Sequence, residues 1–161
     1  MIMQEELKKL LKYDPMIGKF YWRTSKYKRR TDREAGSKDI RGYRNVRIWG
    51  ILYLAHRLAW LYMTGVFPKG DLDHKNNIRD DNKYSNLREA TKAENSRNAC
   101  KSKRNSSGFK GVSEIKEYGK YLARIMKDRK VIRLGLFDSP EEAFDAYKRA
   151  AKKYFGEFAR A

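Results

Sequence analysis

Residues 71–98 read DLDHKNNIRDDNKYSNLREATKAENSRN, and this stretch carries the pattern that decides the fold. Its first four residues alternate as in a short β-strand, and a polar segment rich in Asn and Asp follows. Residues 87–89 predict a second short strand. Thr91 with Glu94 three residues later forms a capping box, so we predict a helix that begins near Lys92.

The same stretch places an acid beside a histidine. Asp73 and His74 end the first predicted strand, where neither side chain gains from a hydrophobic core. Among the asparagines that follow are Asn82, Asn86 and, on the predicted helix, Asn95. An Asn-rich turn with an incidental histidine is the structural alternative, but the residues taken together favour a functional site.

Together these residues resemble the motif of the HNH nuclease family. The resemblance covers residues from about 13 to 100, and the segments before the motif strengthen it: Tyr13-Asp14-Pro15, Phe20-Tyr21-Trp22 and Tyr53-Leu54-Ala55-His56-Arg57-Leu58-Ala59-Trp60. In that family two strands and a helix form a ββα-metal fold around one divalent cation. The resemblance implies that Asp73 and Asn95 bind the metal and that His74 activates water. It further implies that Asn86 orients the loop and His74. The final motif position is Asn instead of His, as in a subset of the family.

The chemistry of these residue types agrees with the resemblance. Hydrolysis of a phosphodiester needs a base for water and a cation that neutralises developing charge. A neutral imidazole accepts a proton near pH 7. One carboxylate and one amide oxygen are hard ligands, which suit one Mg²⁺ or Mn²⁺ ion. They are a poor set for structural zinc, which prefers nitrogen and sulfur.

The residues before the motif predict further helices and strands. In chain order these are an amphipathic helix at 4–13, a turn at 14–18, a strand at 19–23, a loop at 24–42, a β-hairpin at 43–54 and a helix at 55–63 closed by Thr64-Gly65. The second histidine of the chain, His56, lies within the apolar pattern of the last helix. This position favours a packing or orienting histidine.

A different pattern follows the basic, small-residue stretch SKRNSSG at residues 102–108, which we interpret as a linker. Apolar residues then mark three short strands with turns near 118–119 and 128–129. Ser139-Pro140-Glu141-Glu142 begins a helix, because it supplies a cap, a first-turn proline and two acids at the positive end of the helix dipole. Three strands and one helix predict a small domain at 109–161.

This region resembles the plant ethylene-response-factor (APETALA-two) DNA-binding domain over residues from about 107 to 158. The resemblance implies a three-stranded antiparallel sheet that lies in the major groove of DNA, with a helix packed behind it. Ser113-Glu114-Ile115 replaces the arginine-rich first strand of the plant domains, so we expect different sequence selectivity. A generic basic sheet that only raises affinity is the alternative.

Alternation along the strands predicts which side chains face the helix. The inward set is Tyr121, Ala123, Ile125, Ile132 and Leu134, and the outward set is Leu122, Arg124, Met126, Val131 and Arg133. Arginine on a β-ribbon can contact guanine edges, so Arg124 and Arg133 are candidates for base contacts. We expect the flanking Lys110, Lys116 and Lys120 to contact phosphates.

The charge of the whole chain points to a polyanionic partner. The 161 residues contain 38 Lys and Arg against 20 Asp and Glu, a formal charge of +18. Many of these charges lie from residue 97 onward, and four of them are further candidate DNA contacts: Arg97, Lys101, Lys103 and Arg104. A second basic cluster occupies residues 26–33. A solvated basic surface without a partner is the alternative. With Cys100 as the only cysteine, a disulfide within the chain is impossible.

The sequence thus predicts an α+β protein with an HNH endonuclease domain at 1–101 (core motif 71–100), a linker at 102–108 and an ERF-like domain at 109–161. We expect a phage-encoded or bacterial homing-type or nicking endonuclease that acts on double-stranded DNA. No signal peptide, membrane segment or obligatory protein partner is evident, so we expect a cytoplasmic enzyme. A non-catalytic DNA-binding regulator with a decayed nuclease core is the main rival, and an RNA-binding protein is a third hypothesis.

Overall fold

A computed structural model describes residues 1–23, 31, 33–98 and 105–159. The helices are α1 (Gln4–Leu10), α2 (Ala55–Thr64), α3 (Lys92–Asn98) and α4 (Pro140–Phe155). The strands are β1 (Leu11–Asp14), β2 (Lys19–Trp22), β3 (Ser37–Lys38), β4 (Arg44–Ile48), β5 (Ile51–Leu54), β6 (Asp71–His74), β7 (Leu87–Ala90), β8 (Val112–Ile115), β9 (Lys120–Lys127) and β10 (Lys130–Phe137). The predicted α+β class is confirmed. The chain forms two compact units, Met1–Lys92 and Ala93–Ala161.

The N-terminal segment forms a helix followed by a β-hairpin. The predicted helix at 4–13 is wrong over its last three residues, because α1 ends at Leu10 and β1 begins at the next residue. In β1 the buried residues Leu11 and Tyr13 alternate with exposed Lys12, which is the period of a strand. Strand β1 pairs antiparallel with β2, and the ring of Tyr13 stacks on Phe20 at 4.6 Å between centroids.

The first unit also contains a three-stranded antiparallel sheet and α2. The order of this sheet is β3-β4-β5. The predicted hairpin at 43–54 is confirmed, and so is the following helix, which ends on Gly65 in the left-handed conformation. The region predicted as a loop at 24–42 contains the short β3, although residues 24–30 and 32 lie outside the described residues.

The motif stretch forms the two-stranded antiparallel sheet β6–β7. Strand β6 has the predicted bounds, and β7 extends the predicted strand by Ala90. The helix predicted near Lys92 is confirmed as α3, which begins at that residue. Apart from Lys92, this helix belongs to the second compact unit. The ββα-metal arrangement as a whole stays a prediction.

The core of the first unit collects apolar residues from α1, the two hairpins and α2. Its buried members include Leu7, Leu11, Phe20, Val46, Ile48 and Leu58, and Leu87 of β7 belongs to the same cluster. Burial of these side chains stabilises the unit by roughly 1.5–3 kcal/mol each before the loss of conformational entropy is subtracted. This core therefore fixes the position of the β6–β7 sheet.

The second unit contains the sheet β8-β9-β10 and the helix α4. The sheet is antiparallel, with turns at the two predicted places. Helix α4 begins as predicted, because Ser139 Oγ accepts a hydrogen bond of 3.2 Å from Glu142 N. One face of α4 packs on the sheet through Ala143, Ala146, Tyr147, Ala150 and Ala151. A Cβ on Gly111 would lie 2.1 Å from the Tyr147 ring, so this close packing requires glycine there.

The predicted domain limits differ from the limits of the compact units. The first unit ends at Lys92, whereas the predicted nuclease domain runs to residue 101. Residues 102–104 of the predicted linker lie outside the described residues, and the domain assignment stays a prediction. In the described part of the chain, no helix is both long and apolar enough to cross a membrane.

Candidate functional site

Asp73 and His74 lie side by side at the end of β6. In the register with β7, Asp73 is opposite Arg88 and His74 is opposite Leu87. Both side chains are only 4% exposed. Buried ionisable groups of this kind need partners, because burial of an unpaired polar or charged group is costly.

The partner of Asp73 is Arg88. The Arg88 guanidinium donates from Nε at 2.9 Å and from Nη2 at 2.7 Å, and both bonds go to Asp73 Oδ2. Arg88 is itself buried. This ion pair fixes the orientation of the Asp73 carboxylate across the two strands.

His74 is held by Asn82, a residue of the polar loop between β6 and β7. His74 Nε2 lies 3.1 Å from Asn82 Oδ1, and Asn82 Nδ2 donates to the carbonyl of Asp80 at 3.3 Å. Because the amide nitrogen faces that carbonyl, the amide oxygen faces His74, and Nε2 must carry the hydrogen. In the neutral ring the lone pair is then on Nδ1, which is the atom that can accept a proton.

The surroundings of His74 keep the imidazole neutral. Burial lowers the pKa of His74, and the charge of Arg79 lowers it further. The Asn82 hydrogen bond and the charges of Asp73 and Asp81 act in the opposite direction, but the net shift is downward. A neutral histidine at pH 7 has the protonation state that a general base requires.

Asn82 is fixed by the N-terminal hairpin. The Tyr13 hydroxyl donates a hydrogen bond of 2.6 Å to Asn82 O. Gly18, in the turn of the same hairpin, has φ +74°, and a Cβ there would lie 2.4 Å from Lys83 N and 2.6 Å from Asn82 C. The backbone at Asn82 therefore packs directly on a glycine that no other residue can replace without movement.

Asn86 makes several hydrogen bonds within the loop that contains Asn82. Its Nδ2 donates to Asn76 Oδ1 at 3.0 Å and to Asp81 O at 2.8 Å, while its Oδ1 accepts from Asn76 N at 3.1 Å. These contacts lie within the loop, and the role that the resemblance implies for Asn86 stays a prediction. The side chain that bonds to His74 is Asn82, to which the sequence analysis gave no role. An ion pair between Arg44 and Asp80, 2.9 Å between Nε and Oδ1, ties the same loop to β4.

Two further rings pack around His74. His56 of α2 meets it edge to face at 5.0 Å between centroids, and Tyr43 lies 6.1 Å from it. The pKa of His56 is lowered to about 3, mainly by burial and to a smaller extent by the charges of His74 and Arg57. Its Nδ1 is buried without a hydrogen-bond partner. His56 is therefore a neutral packing histidine, as its apolar helical setting predicts.

The predicted metal ligands come from both compact units. Asp73 belongs to the first unit, whereas Asn95 is a half-buried residue of α3 in the second. Among the residues that the structure describes, no three or more His, Cys, Asp and Glu side chains form a metal-binding group. A carboxylate and an amide still form a hard oxygen pair that suits Mg²⁺ or Mn²⁺. The pairing of Asp73 with Asn95 stays a prediction.

In the second unit some of the predicted DNA contacts are exposed, and others interact with residues of the same unit. Arg124 and Arg133 are exposed and directly opposite each other in the β9–β10 register, and Lys116 is also exposed. The other three have partners inside the unit. Arg97 lies 4.8 Å over the Phe155 ring, Lys110 Nζ donates to Arg97 O at 2.6 Å, and Lys120 pairs with Asp138 at 3.0 Å. Lys101, Lys103 and Arg104 lie outside the described residues.

Sequence reasoning missed three residues of this site: Arg88, Asn82 as the partner of His74, and Tyr13. The Arg88 pairing was accessible in principle, because two short strands in antiparallel register place one residue of each opposite the other. The bond from Tyr13 to Asn82 joins residues 69 positions apart, and no local pattern indicates it.

Comparison with known proteins assigns the motif region. Residues 53–97 match the family model described as HNH endonuclease, which is a little over a quarter of the 161 residues. Neither the search of curated proteins nor the search of solved structures found a match. The matched stretch contains Asp73, His74, Asn82, Asn86 and Asn95. Residues 53–97 are therefore similar to an HNH endonuclease, which supports a nuclease that acts on DNA.

Proposed function

We propose that this chain is a metal-dependent DNA endonuclease of the HNH type, a homing or phage enzyme that nicks or cleaves duplex DNA in the cytoplasm. One observation carries the proposal: within the matched stretch, Asn82 fixes the Nε2–H tautomer of a neutral, buried His74 that adjoins Asp73. An incidental histidine in a turn would not need a dedicated amide partner that is itself braced by a distant hairpin.

In the proposed reaction His74 is the general base. Nδ1 takes a proton from water while the water oxygen forms a bond to phosphorus. The bond from phosphorus to the 3′ oxygen breaks, and that oxygen leaves as a 3′-hydroxyl after it gains a proton from solvent. Asn82 holds the resulting imidazolium through Nε2, and the adjacent Asp73 carboxylate stabilises its charge.

A divalent cation fits the donor set. Asp73 and Asn95 would hold it, with water and phosphate oxygens for the rest of its coordination. When bound, such an ion supplies neutralisation of charge on the phosphate and on the departing oxygen. Arg88 acts on Asp73 from the side of Oδ2, so it orients the carboxylate and compensates its charge in the fold.

We further propose that the C-terminal unit binds DNA through the outward face of its sheet, as the resemblance to the ethylene-response-factor domain implies. The observation that favours DNA binding by this face is the exposed pair of Arg124 and Arg133 on neighbouring strands. Two like charges directly opposite each other destabilise a sheet, so a polyanion on that face would relieve the repulsion.

The rival hypothesis is a DNA-binding regulator that has lost cleavage. A nicking assay on supercoiled plasmid in Mg²⁺ or Mn²⁺, against EDTA, distinguishes the two. We expect metal-dependent conversion to open circles or linear DNA by the wild-type chain and none by His74→Ala. Unchanged plasmid under every metal condition, with tight duplex binding, would support the regulator instead.

The metal-ligand control must respect the ion pair at Asp73. Asp73→Ala would remove the carboxylate that pairs with the buried Arg88 guanidinium, at a cost of about 3–5 kcal/mol. Asp73→Asn retains shape and one acceptor oxygen, so it is the better variant, with thermal unfolding recorded beside activity.

Competition of duplex DNA against structured RNA tests the RNA-binding hypothesis, because a sheet that enters the major groove requires the B-form duplex.

A further inference from the structure

The outward face of β9 and β10 presents three rows of paired side chains. Arg124 lies opposite Arg133, and Met126 lies opposite Val131 on one side of that pair. On the other side, beyond a bulge between Arg133 and Gly135, Leu122 lies opposite Leu136. The arginine row is thus enclosed between two apolar rows.

Three of the four side chains in the apolar rows are exposed, and the fourth, Leu122, is half-buried. Met126 is 63% exposed, and Val131 and Leu136 are each 54% exposed. The opposite face of the same sheet packs on α4, so these side chains have no part in the described core of the unit. Large apolar side chains gathered on one face, beside two arginines, are typical of a contact surface.

The arginine row decides the kind of partner. Two exposed guanidinium groups in direct cross-strand register repel each other, so negative charge from outside is attracted to this row. The chain as a whole carries +18, so an acidic polymer is the complementary partner. In the major groove of DNA an arginine donates to guanine O6 and N7, whereas an apolar side chain contacts the thymine methyl group.

The spacing of the rows matches a DNA groove. Side chains that share one face of a strand are about 6.8 Å apart, since each residue rises about 3.4 Å. Base pairs rise about 3.4 Å each. When the strands lie along the duplex axis, an apolar row therefore falls about two base-pair steps from the arginine row, on either side of it.

From this arrangement we infer that the sheet selects duplex sites in which thymine 5-methyl groups lie about two base pairs from a contacted guanine. An arginine of the central row, Arg124 or Arg133, binds the guanine. Met126 with Val131 covers one methyl group, and Leu122 with Leu136 covers the other. The inference rests on the proposed DNA binding by this unit and adds the base composition that the site requires. The occupant is the major groove of B-form DNA, since RNA has uracil without the methyl group.

The test removes only the methyl groups. Sites for the full-length chain are first selected from a random 20-base-pair duplex library in EDTA, so that cleavage does not interfere. The best site is then prepared with deoxyuridine in place of each thymine, and both affinities are measured by fluorescence anisotropy. We expect selected sites with thymine two steps from guanine, and about three- to fivefold weaker binding for each methyl group lost.

Variants assign the discrimination to the named rows. Met126→Ala with Val131→Ala should bind the thymine and deoxyuridine duplexes alike at one of the two positions. Tyr118→Ala, which removes another side chain that is 65% exposed, should keep the full difference. All these residues are on the surface, and circular dichroism melts will verify that the variants fold.

The failures of the two proposals are distinguishable. Selected sites without thymine at these positions, or equal affinity for thymine and deoxyuridine duplexes, would overturn the methyl-group inference while DNA binding stands. If no duplex in the library is preferred over bulk DNA, sequence recognition by the sheet is refuted, and the methyl-group inference with it.

Discussion

The phenol of Tyr13 donates a hydrogen bond of 2.6 Å to the backbone carbonyl of Asn82, the residue whose side chain holds His74. The first β-hairpin of the chain therefore supports the candidate base, His74, through Asn82. Burial raises the pKa of Tyr13, so its hydroxyl keeps its proton and remains a donor at neutral pH. Phosphodiester cleavage by this chain would thus depend on a residue outside the matched stretch 53–97.

Tyr13→Phe tests this support. The variant leaves the buried Asn82 carbonyl without its donor, which should lower the free energy of unfolding by about 1–3 kcal/mol in urea titrations. Plasmid nicking should also slow under conditions where the variant is fully folded, because Asn82 positions His74. Tyr118→Phe, at an exposed tyrosine, is the matched control and should change neither quantity. A folded variant with normal nicking would show that Tyr13 matters for stability alone.

His74→Ala removes the candidate base. We expect cleavage to fall by about 10²–10⁴-fold, while affinity for duplex DNA stays within a few-fold of the wild type. Single-turnover cleavage and anisotropy binding measure the two effects separately. Parallel loss of binding and cleavage would mean that His74 is a structural residue.

Metal binding has a readout that does not depend on activity. If Asp73 binds Mg²⁺ or Mn²⁺, millimolar metal should raise the melting temperature, because a ligand that binds only the folded state stabilises it. Asp73→Asn should weaken this rise, whereas Asp71→Asn, at an exposed residue of the same strand, should preserve it. Identical metal-induced shifts in both variants would exclude Asp73 as a ligand.

Stability should depend on pH through His56. Its pKa is about 3 in the folded protein, because of burial, against 6.5 for the ordinary side chain. The unfolded chain therefore binds a proton that the folded chain cannot, so the free energy of unfolding rises with pH between about 3 and 6.5. The expected slope is about 1.4 kcal/mol per pH unit from this residue alone, and His74 adds to it in the same direction.

His56→Leu isolates that contribution. Between pH 6.5 and 4.5 the wild type should lose about 2.3 kcal/mol more than the variant in urea titrations. Near pH 7 the replacement should cost little, since the His56 Nδ1 has no hydrogen-bond partner to lose. Equal pH dependence of the two proteins would show that His56 is accessible to protons in the fold. The pKa of Asp80 is also lowered in the fold. Its effect on the free energy of unfolding falls mainly below its ordinary pKa of 3.8, which is outside the range from pH 4.5 to 6.5.

Several elements follow from the sequence because their signals are local. The strand at β6, the start of α3 and the capped start of α4 were predicted within a residue, since alternation, caps and first-turn proline act over a few neighbouring positions. The two faces of β9 and β10 follow from the same alternation. Helix α1 is the exception. Its leucine pattern continues into β1, and only the pairing of β1 with β2 ends the helix at Leu10.

The sequence by itself determined which residue types stand at the candidate site: an acid beside a histidine, followed by asparagines in a loop between two strands. The tertiary structure decided which of them meet, with Arg88 on Asp73, Asn82 on His74 and Tyr13 on Asn82. The physical reason is range. A cap or a strand period concerns neighbouring residues, whereas strand register and a bond across 69 positions depend on how the whole first unit packs around its core.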